Sequence, residues 1–168
     1  MKLLALLLPI MLMLAAIAVA SKRRQTRAGS ADGPWPYDAR QVISRPELIL
    51  HRHLVTALPG HIVLAQVQVS RVLGVRKGFD FHAWNNRINR LSYDFVVCTP
   101  DGNVLAAIEL DDKSHDAPDR IEADQRKDRA TAAAGIPLIR WHVKAIPDPA
   151  KIQAQFAGLR PRRVSHDG

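Results

Sequence analysis

Three acidic residues, Asp94, Glu109 and Asp111, lie in two apolar segments that are joined by a short turn. The dipeptide Asp101-Gly102 in that turn is typical of a β-hairpin. An even-sized loop centred on it sets Asp94 opposite Glu109, and the two-residue period of a strand puts Asp111 on the same face. Like charges that face each other across a ladder destabilise a sheet. The convergence therefore predicts a bound divalent cation, and oxygen ligands favour Mg²⁺ or Mn²⁺.

The register of the hairpin decides whether the three carboxylates meet. A shift by one residue would set Asp94 opposite Leu110 and on the face of Ile108, and both of those residues have the character of core positions. The apolar pattern therefore disfavours the shift. A half-exposed strand that carries scattered acids on its solvated face and binds no metal remains the alternative.

A hard cation in a basic protein indicates hydrolysis of phosphodiester bonds, in which the metal orients water and stabilises charge on the phosphate. In this hypothesis the metal ligands are Asp94, Glu109 and Asp111. Lys113 and Lys127 are the candidate catalytic lysines. His115 is a candidate general base or phosphate-binding residue, although a histidine in a loop can equally well face solvent.

The composition indicates one basic domain without disulfides. The chain has 168 residues, with 24 Lys and Arg against 16 Asp and Glu, and its formal charge is +8. This surplus favours a polyanionic partner, either nucleic acid or the anionic face of a membrane. Cys98 is the only cysteine, which excludes an intrachain disulfide and a multi-cysteine zinc site. Its place in an apolar strand predicts a buried thiol.

Basic and aromatic residues are mixed in the segment that precedes the hairpin. Arg87, Arg90 and Lys127 are the candidate contacts to nucleic acid, with DNA expected more than RNA. Trp84 could stack on a base. We instead interpret Trp84 and Phe81 as core residues, over which the arginines lie.

Residues 3–20 form an unbroken apolar run, at the short end of a membrane-spanning helix. Four basic residues follow the run and one precedes it, so the positive-inside rule predicts a single-pass anchor in the bacterial inner membrane with the rest of the chain in the cytoplasm. The alternative is an exported protein that is cleaved after Ala20, because residues 18–20 resemble a signal-peptidase site. Residues 21–37 are predicted to be a basic flexible linker.

The remaining pattern predicts an α/β domain over residues 38–158, followed by a basic tail over 159–168. Ser44 and Glu47 fit a capping box at the start of a helix that ends at Pro59-Gly60, and this role accounts for Glu47 without a function in the site. The further elements are predicted as a strand over 61–69, helices at both ends of 70–90, the hairpin, a helix to about 134, a strand over 136–143 and a helix over 149–156. This order indicates a mixed sheet flanked by helices.

Four polar residues recur at three- and four-residue spacing on the helix that follows the hairpin. They are Asp124, Lys127, Asp128 and Thr131. Residues at this spacing share one face of a helix. The stripe either faces the site or is a solvated face with ion pairs, and the sequence is compatible with both.

The chain resembles the restriction-endonuclease-like superfamily in the hairpin acids and in the helix and strand that follow them. The resemblance rests on Asp94-Phe95, residues 107–111, His115, Asp124, Lys127-Asp128 and residues 135–141. It extends from about Ser44 to Phe156. Within the superfamily the chain is similar to the very-short-patch-repair endonucleases and, most closely, to a bacterial family of domains of unknown function numbered 2726.

The resemblance implies a restriction-endonuclease-like core with an acidic site at the junction of the hairpin strands. It implies that Asp94 is the first metal ligand, that Glu109 and Asp111 form the second acidic pair, and that His115 lies in the active site. The superfamily pattern of an acid, one spacer and a lysine is not met at Glu109, because Asp111 stands where the lysine would be. Lys113 completes the pattern two residues later.

These observations predict a membrane-anchored nuclease that depends on Mg²⁺ or Mn²⁺ and hydrolyses phosphodiester bonds in DNA. The acids of the hairpin and the excess of basic residues carry this expectation. The alternative is a catalytically inactive nuclease-fold module that binds nucleic acid or a protein partner at the membrane.

Overall fold

A computed structural model describes residues 11–17, 35–112 and 118–162. The chain divides into two compact units, Met1–Arg40 and Gln41–Gly168. In the first unit, residues 11–17 are helical. Their large apolar side chains, such as Met11 and Leu14, are exposed.

The predicted membrane anchor over residues 3–20 is wrong. Within the described ranges, no helix is long and apolar enough to cross a membrane. The predicted location in the inner membrane with a cytoplasmic domain depended on this anchor and is therefore wrong as well. The alternative cleavage site after Ala20 and linker residues 21–34 lie outside the described residues.

The second unit is built on a four-stranded sheet with the strands in sequence order. The strands are β1 (Ile62–Gln68), β2 (Ser92–Cys98), β3 (Val104–Asp111) and β4 (Leu138–His142). The first three strands run antiparallel to their neighbours, whereas β4 pairs with β3 in parallel. The predicted α/β class with a mixed sheet is therefore confirmed.

Helices precede, connect and follow the strands. They are α1 (Arg45–Ala57), α2 (Val69–Val72), α3 (Phe81–Asn85), α4 (Pro118–Ala133) and α5 (Pro149–Phe156), with a 3₁₀ turn at Val143–Ala145. The capping box at the start of α1 is confirmed, since Ser44 Oγ accepts a hydrogen bond from Glu47 N and the Glu47 carboxylate accepts one from Ser44 N. The parallel pairing of β3 with β4 requires a crossover, and α4 lies in that connection.

The hairpin has the predicted register, although its loop differs from the prediction. The ladder pairs Phe95 with Ile108 and Val97 with Ala106. The loop closes at Thr99, whose N–H donates to Asn103 O at 2.9 Å, so it is not of even size. A three-residue loop shifts the register by one position, and a bulge between Val97 and Cys98 compensates for this shift.

The alternation of β2 divides its side chains between two apolar layers. On one face, Phe95 and Val97 pack with α1 and α5, which contribute residues such as Leu54 and Ile152. On the other face, Val96 and Cys98 pack with residues of the α2–α3 region and of α4. The buried position of Cys98 is confirmed. The expected burial of Phe81 and Trp84 is wrong, because their side chains remain 56% and 45% exposed beside this layer.

Leu54→Ala tests the layer under α1. Leu54 is fully buried, whereas its neighbour Val55 is 50% exposed. We expect Leu54→Ala to lower the free energy of unfolding by about 2–5 kcal/mol, because it removes buried methyl groups and leaves a cavity. Val55→Ala should change it by less than about 0.5 kcal/mol. Urea denaturation of the full chain measures both, and equal effects would contradict the assigned orientation of α1.

Candidate functional site

A cleft of about 560 Å³ lies between α4 and the strand residues that carry the hairpin acids. Its lining is strongly acidic. The acidic residues are Asp94, Glu109, Asp111, Asp112, Asp124 and Asp128. Arg140, from β4, is the basic residue that lines it. The cleft therefore brings together the three acids of the hairpin that the sequence singles out.

Glu109 and Lys127 form a buried ion pair beside this cleft. Glu109 Oε2 lies 2.7 Å from Lys127 Nζ, and each of the two side chains is about one-tenth exposed. Lys127 Nζ also donates a hydrogen bond to Ser92 O at 3.2 Å. Asp124 Oδ1 lies 3.8 Å from the same nitrogen. Lys127 thus brings a second positive charge, besides that of Arg140, to this acidic site from a helix rather than from the strand.

The second oxygen of Glu109 is buried and has no hydrogen-bond partner among the described residues. Leaving a buried acceptor unpaired costs about 1–3 kcal/mol, and more when the group is charged. Native proteins contain few such atoms, and many of them mark a catalytic or ligand-binding role. Among the described residues, one buried acceptor of Glu109 is thus left unsatisfied beside the cleft.

The buried residues of α4 hold Lys127 in place. Thr131 Oγ1 donates to Lys127 O at 2.6 Å and lies 2.6 Å from the hydroxyl of Tyr93 on β2. Lys127 and Thr131 are buried toward the sheet, whereas Asp124 and Asp128 line the cleft. The polar stripe of α4 consequently faces the site, which decides between the two alternatives that its spacing left open.

Asp94 is oriented by the backbone of the neighbouring strand. Its Oδ2 accepts a hydrogen bond from Leu110 N at 2.7 Å, and Leu110 lies two residues beyond Ile108 of the last ladder pair of the hairpin. Burial raises the pKa of Asp94 above its ordinary value, the bond from Leu110 N opposes this, and the charge of Glu47 adds to the increase. Asp94 is thus held at the site in an environment that disfavours its negative charge.

Asp111 and Asp128 share the guanidinium of Arg140. Arg140 Nη2 donates to Asp128 Oδ1 at 2.6 Å, and Arg140 Nε lies 3.7 Å from Asp111 Oδ2. The parallel register sets Arg140 directly beside Glu109 on the adjacent strand. About a third of the Arg140 and Asp111 side chains is exposed, so this wall of the cleft is open to solvent and to a ligand.

The predicted three-carboxylate metal site is wrong as a preformed centre. In the part of the chain that the structure describes, no group of three or more His, Cys, Asp or Glu side chains is arranged to hold a metal ion. The reason is that each expected ligand has another partner. Asp94 accepts from Leu110 N, Glu109 is paired with Lys127, and Asp111 lies beside Arg140.

The remaining predicted site residues are distributed more widely. Lys113 and His115 lie outside the described residues. The Arg87 guanidinium lies 4.3 Å from the centroid of the Trp84 ring, in a second groove on the other flank of α4. Arg90 is exposed and lines neither cavity. The structure therefore unites the acids with Lys127 and leaves the arginines elsewhere.

Glu47 and Gln66 adjoin the site at Asp94, although neither lines the cleft and sequence reasoning did not place them there. Gln66 stands opposite Asp94 in the sheet, between the pairs that flank it, and its Nε2 donates to Glu47 Oε1 at 2.8 Å. Gln66 has a φ of 53°, which residues other than glycine seldom adopt and which tends to occur at functional sites. The capping box concealed this second role of Glu47, and the periodicity of the strand gave no signal for Gln66.

Burial raises the pKa of Glu109 from 4.5 to about 7, against the lowering influence of Lys127. Between these two values the folded protein binds a proton that the unfolded chain has released. The stability contributed by this proton is fully present below pH 4.5 and is lost as the pH rises through about 7, by roughly 1.4 kcal/mol per pH unit.

A titration of the Glu109 carboxyl carbon by NMR, assigned with Glu109→Gln, tests this environment. We expect a midpoint near 7 and a still higher midpoint in Lys127→Met, because the ammonium that lowers the pKa is gone. Lys151→Met removes an exposed lysine that pairs with Asp148 and should leave the midpoint unchanged. An ordinary midpoint, or no response to Lys127→Met, would contradict the buried pair.

The comparisons with known proteins identify the family of this domain. No curated protein and no solved structure matches the chain. A family model described as "protein of unknown function (DUF2726)" matches residues 39–159. This range contains the whole sheet and all the residues of the cleft. The chain therefore belongs to the DUF2726 family.

Proposed function

We propose that this domain hydrolyses phosphodiester bonds in nucleic acid, with DNA as the expected substrate, at the cleft around Glu109. The observation that carries the proposal is the state of the Glu109 carboxylate. One oxygen is held by Lys127 at 2.7 Å, and the other is buried without a partner among the described residues. A site that holds an unpaired acceptor next to a fixed lysine ammonium is preorganised to stabilise charge that develops during a reaction.

Lys127 supplies the positive charge that phosphoryl chemistry needs. Preorganised cationic donors stabilise the charge that develops on phosphate oxygens, and Lys127 is preorganised by Ser92 O and by the hydrogen bond of Thr131 to its backbone. In the acid–spacer–lysine pattern, the lysine follows the acid on the same strand. Here Lys127 of α4 reaches the acid Glu109 instead, which supports a nuclease-like site despite the departure from the pattern.

Asp94, Asp111 and the free oxygen of Glu109 would hold Mg²⁺ or Mn²⁺ only together with the substrate. Mg²⁺ is commonly bound by one or two carboxylates and by substrate phosphates rather than by a cage of protein ligands. When bound, the cation would neutralise phosphate charge and lower the pKa of an attacking water. The unpaired Oε1 of Glu109 fits such a ligand.

The mixed sheet supports the further proposal that the domain is of the restriction-endonuclease-like type. A central mixed sheet with helices on both faces is the architecture that the resemblance implies. The hairpin acids lie at the junction of β2 and β3, as that resemblance also implies. The large net positive charge of the chain favours a polyanionic substrate over a small neutral one.

A cleavage assay with site variants tests the proposed reaction. The full chain is incubated with labelled single-stranded, duplex and mismatched DNA and with RNA, in Mg²⁺, in Mn²⁺ or in EDTA. We expect cleavage that requires the cation and that falls by about 10²–10⁴-fold in Asp94→Asn, Glu109→Gln and Lys127→Met. The reason is that each substitution removes a charge at the reacting phosphate.

Asp101→Asn is the matched control, because Asp101 is an exposed acid in the hairpin turn, where it bonds to Asn103. This variant should cleave at the rate of the unmodified protein. Circular dichroism shows whether each variant is folded. Cleavage that survives all three site substitutions would refute the site, and binding without cleavage of any substrate would favour the inactive nucleic-acid-binding module.

A further inference from the structure

A second cavity lies on the other flank of α4. This groove has a volume of about 380 Å³, within the usual range of small-ligand sites of about 300–1,000 Å³. On α4, Arg126 and Arg129 line the groove, whereas Asp124 and Asp128 line the acidic cleft. At 3.6 residues per turn, these two pairs lie on opposite sides of Lys127 and Thr131, the residues of α4 that face the sheet. One helix therefore separates an acidic cleft from a basic groove.

Aromatic rings that the fold leaves exposed form one wall of the groove. Phe79 and Trp84 are 58% and 45% exposed. Their rings meet edge to face, with centroids 6.0 Å apart. Buried or half-buried apolar side chains, among them Ile88 and Ala130, also line the groove. Large exposed rings beside an apolar surface are typical of sites that bind planar ligands.

Among the described residues, four arginines and no acidic residue line the groove. The arginines are Arg76, Arg87, Arg126 and Arg129. Arg87 stacks on Trp84 with its guanidinium 4.3 Å from the ring centroid, and Arg76 is anchored to Ala133 O at 2.7 Å. Arg126 is partly neutralised by Glu122 at 2.8 Å. The complement of this lining is a ligand with a flat apolar part and negative charges beside it.

We propose that the groove holds one unpaired nucleotide of the nucleic acid whose backbone reaches the acidic cleft. The base lies against Trp84 and Phe79, and the flanking phosphates meet the arginines. This inference rests on the proposed function, and it defines the substrate more narrowly as a strand with an unstacked base. Base–aromatic stacking tolerates any sequence, because every base has a π-face. An acidic peptide would satisfy the arginines without using the flat surface of the rings.

Binding of the full chain to labelled oligonucleotides, measured by fluorescence anisotropy in EDTA, tests this without cleavage. The probes are a duplex, the same duplex with one unpaired nucleotide, the same duplex with an abasic site in place of that nucleotide, and a single strand. We expect the unpaired nucleotide to bind more tightly than the paired or abasic position. Trp84→Ala should abolish this preference and weaken binding by about 5- to 150-fold, whereas Trp84→Phe should retain most of both.

Arg87→Ala should weaken binding more than Arg52→Ala, which removes the same charge from an exposed position of α1 outside both cavities. Equal losses in these two variants, or equal affinity for all four probes, would overturn the groove proposal even if cleavage occurs. If no probe binds, the groove and the proposed function both fail. A Trp84-dependent preference without cleavage in Mg²⁺ would support the groove and refute the proposed reaction.

Discussion

The buried contact between Glu109 and Lys127 is the interaction on which the arrangement of the site depends. It joins β3 to α4 across the interior, at 2.7 Å. Either charge alone in this position would be strongly unfavourable, because removing one partner of a buried pair typically costs about 3–5 kcal/mol. The pair therefore sets the rotation of α4 about its axis. Because Lys127 faces the sheet, Asp124 and Asp128 on one flank of α4 line the cleft, and Arg126 and Arg129 on the other line the groove.

The rotation of α4 also separates the charges of a basic protein. The chain has a net charge of +8, yet the described lining of the cleft has six acidic residues against one arginine. Four other arginines lie on the opposite flank, with the exposed aromatic rings. A polyanion can therefore be attracted by the surface as a whole while the reacting phosphate still needs a positive charge at the cleft. Lys127 and a cation that arrives with the substrate are the proposed sources of that charge.

The sequence predicts well the features that depend on neighbouring residues. The capping box of Ser44, the register of the hairpin and the succession of helices and strands along the chain all follow from local patterns, and the structure has them. The sequence does not predict the partners of the carboxylates, because these partners are distant in the chain or belong to the backbone. Arg140 contacts Asp111 from β4, and Lys127 contacts Glu109 from α4. No rule of sequence spacing predicts such contacts.

Trp84 is another residue whose environment the sequence does not predict. An aromatic residue near arginines is expected to be buried, and only the packing of the α2–α3 region shows that the Trp84 ring stays exposed. Gln66 is a further case, since its φ of 53° departs from the ordinary preference of residues other than glycine. At both positions the tertiary structure overrides a local tendency of the residue.

The backbone of Gln66 has a consequence for how the molecule behaves at high concentration. β1 is the outer strand of the sheet, and exposed outer strands are templates for the addition of strands from other molecules. Its outward side chains include the exposed Ile62 and Leu64, which would favour such aggregation. A left-handed residue in the middle of the strand breaks the regular row of hydrogen-bonding groups that an incoming strand requires. Gln66 would thereby hinder the pairing of another strand along this apolar edge.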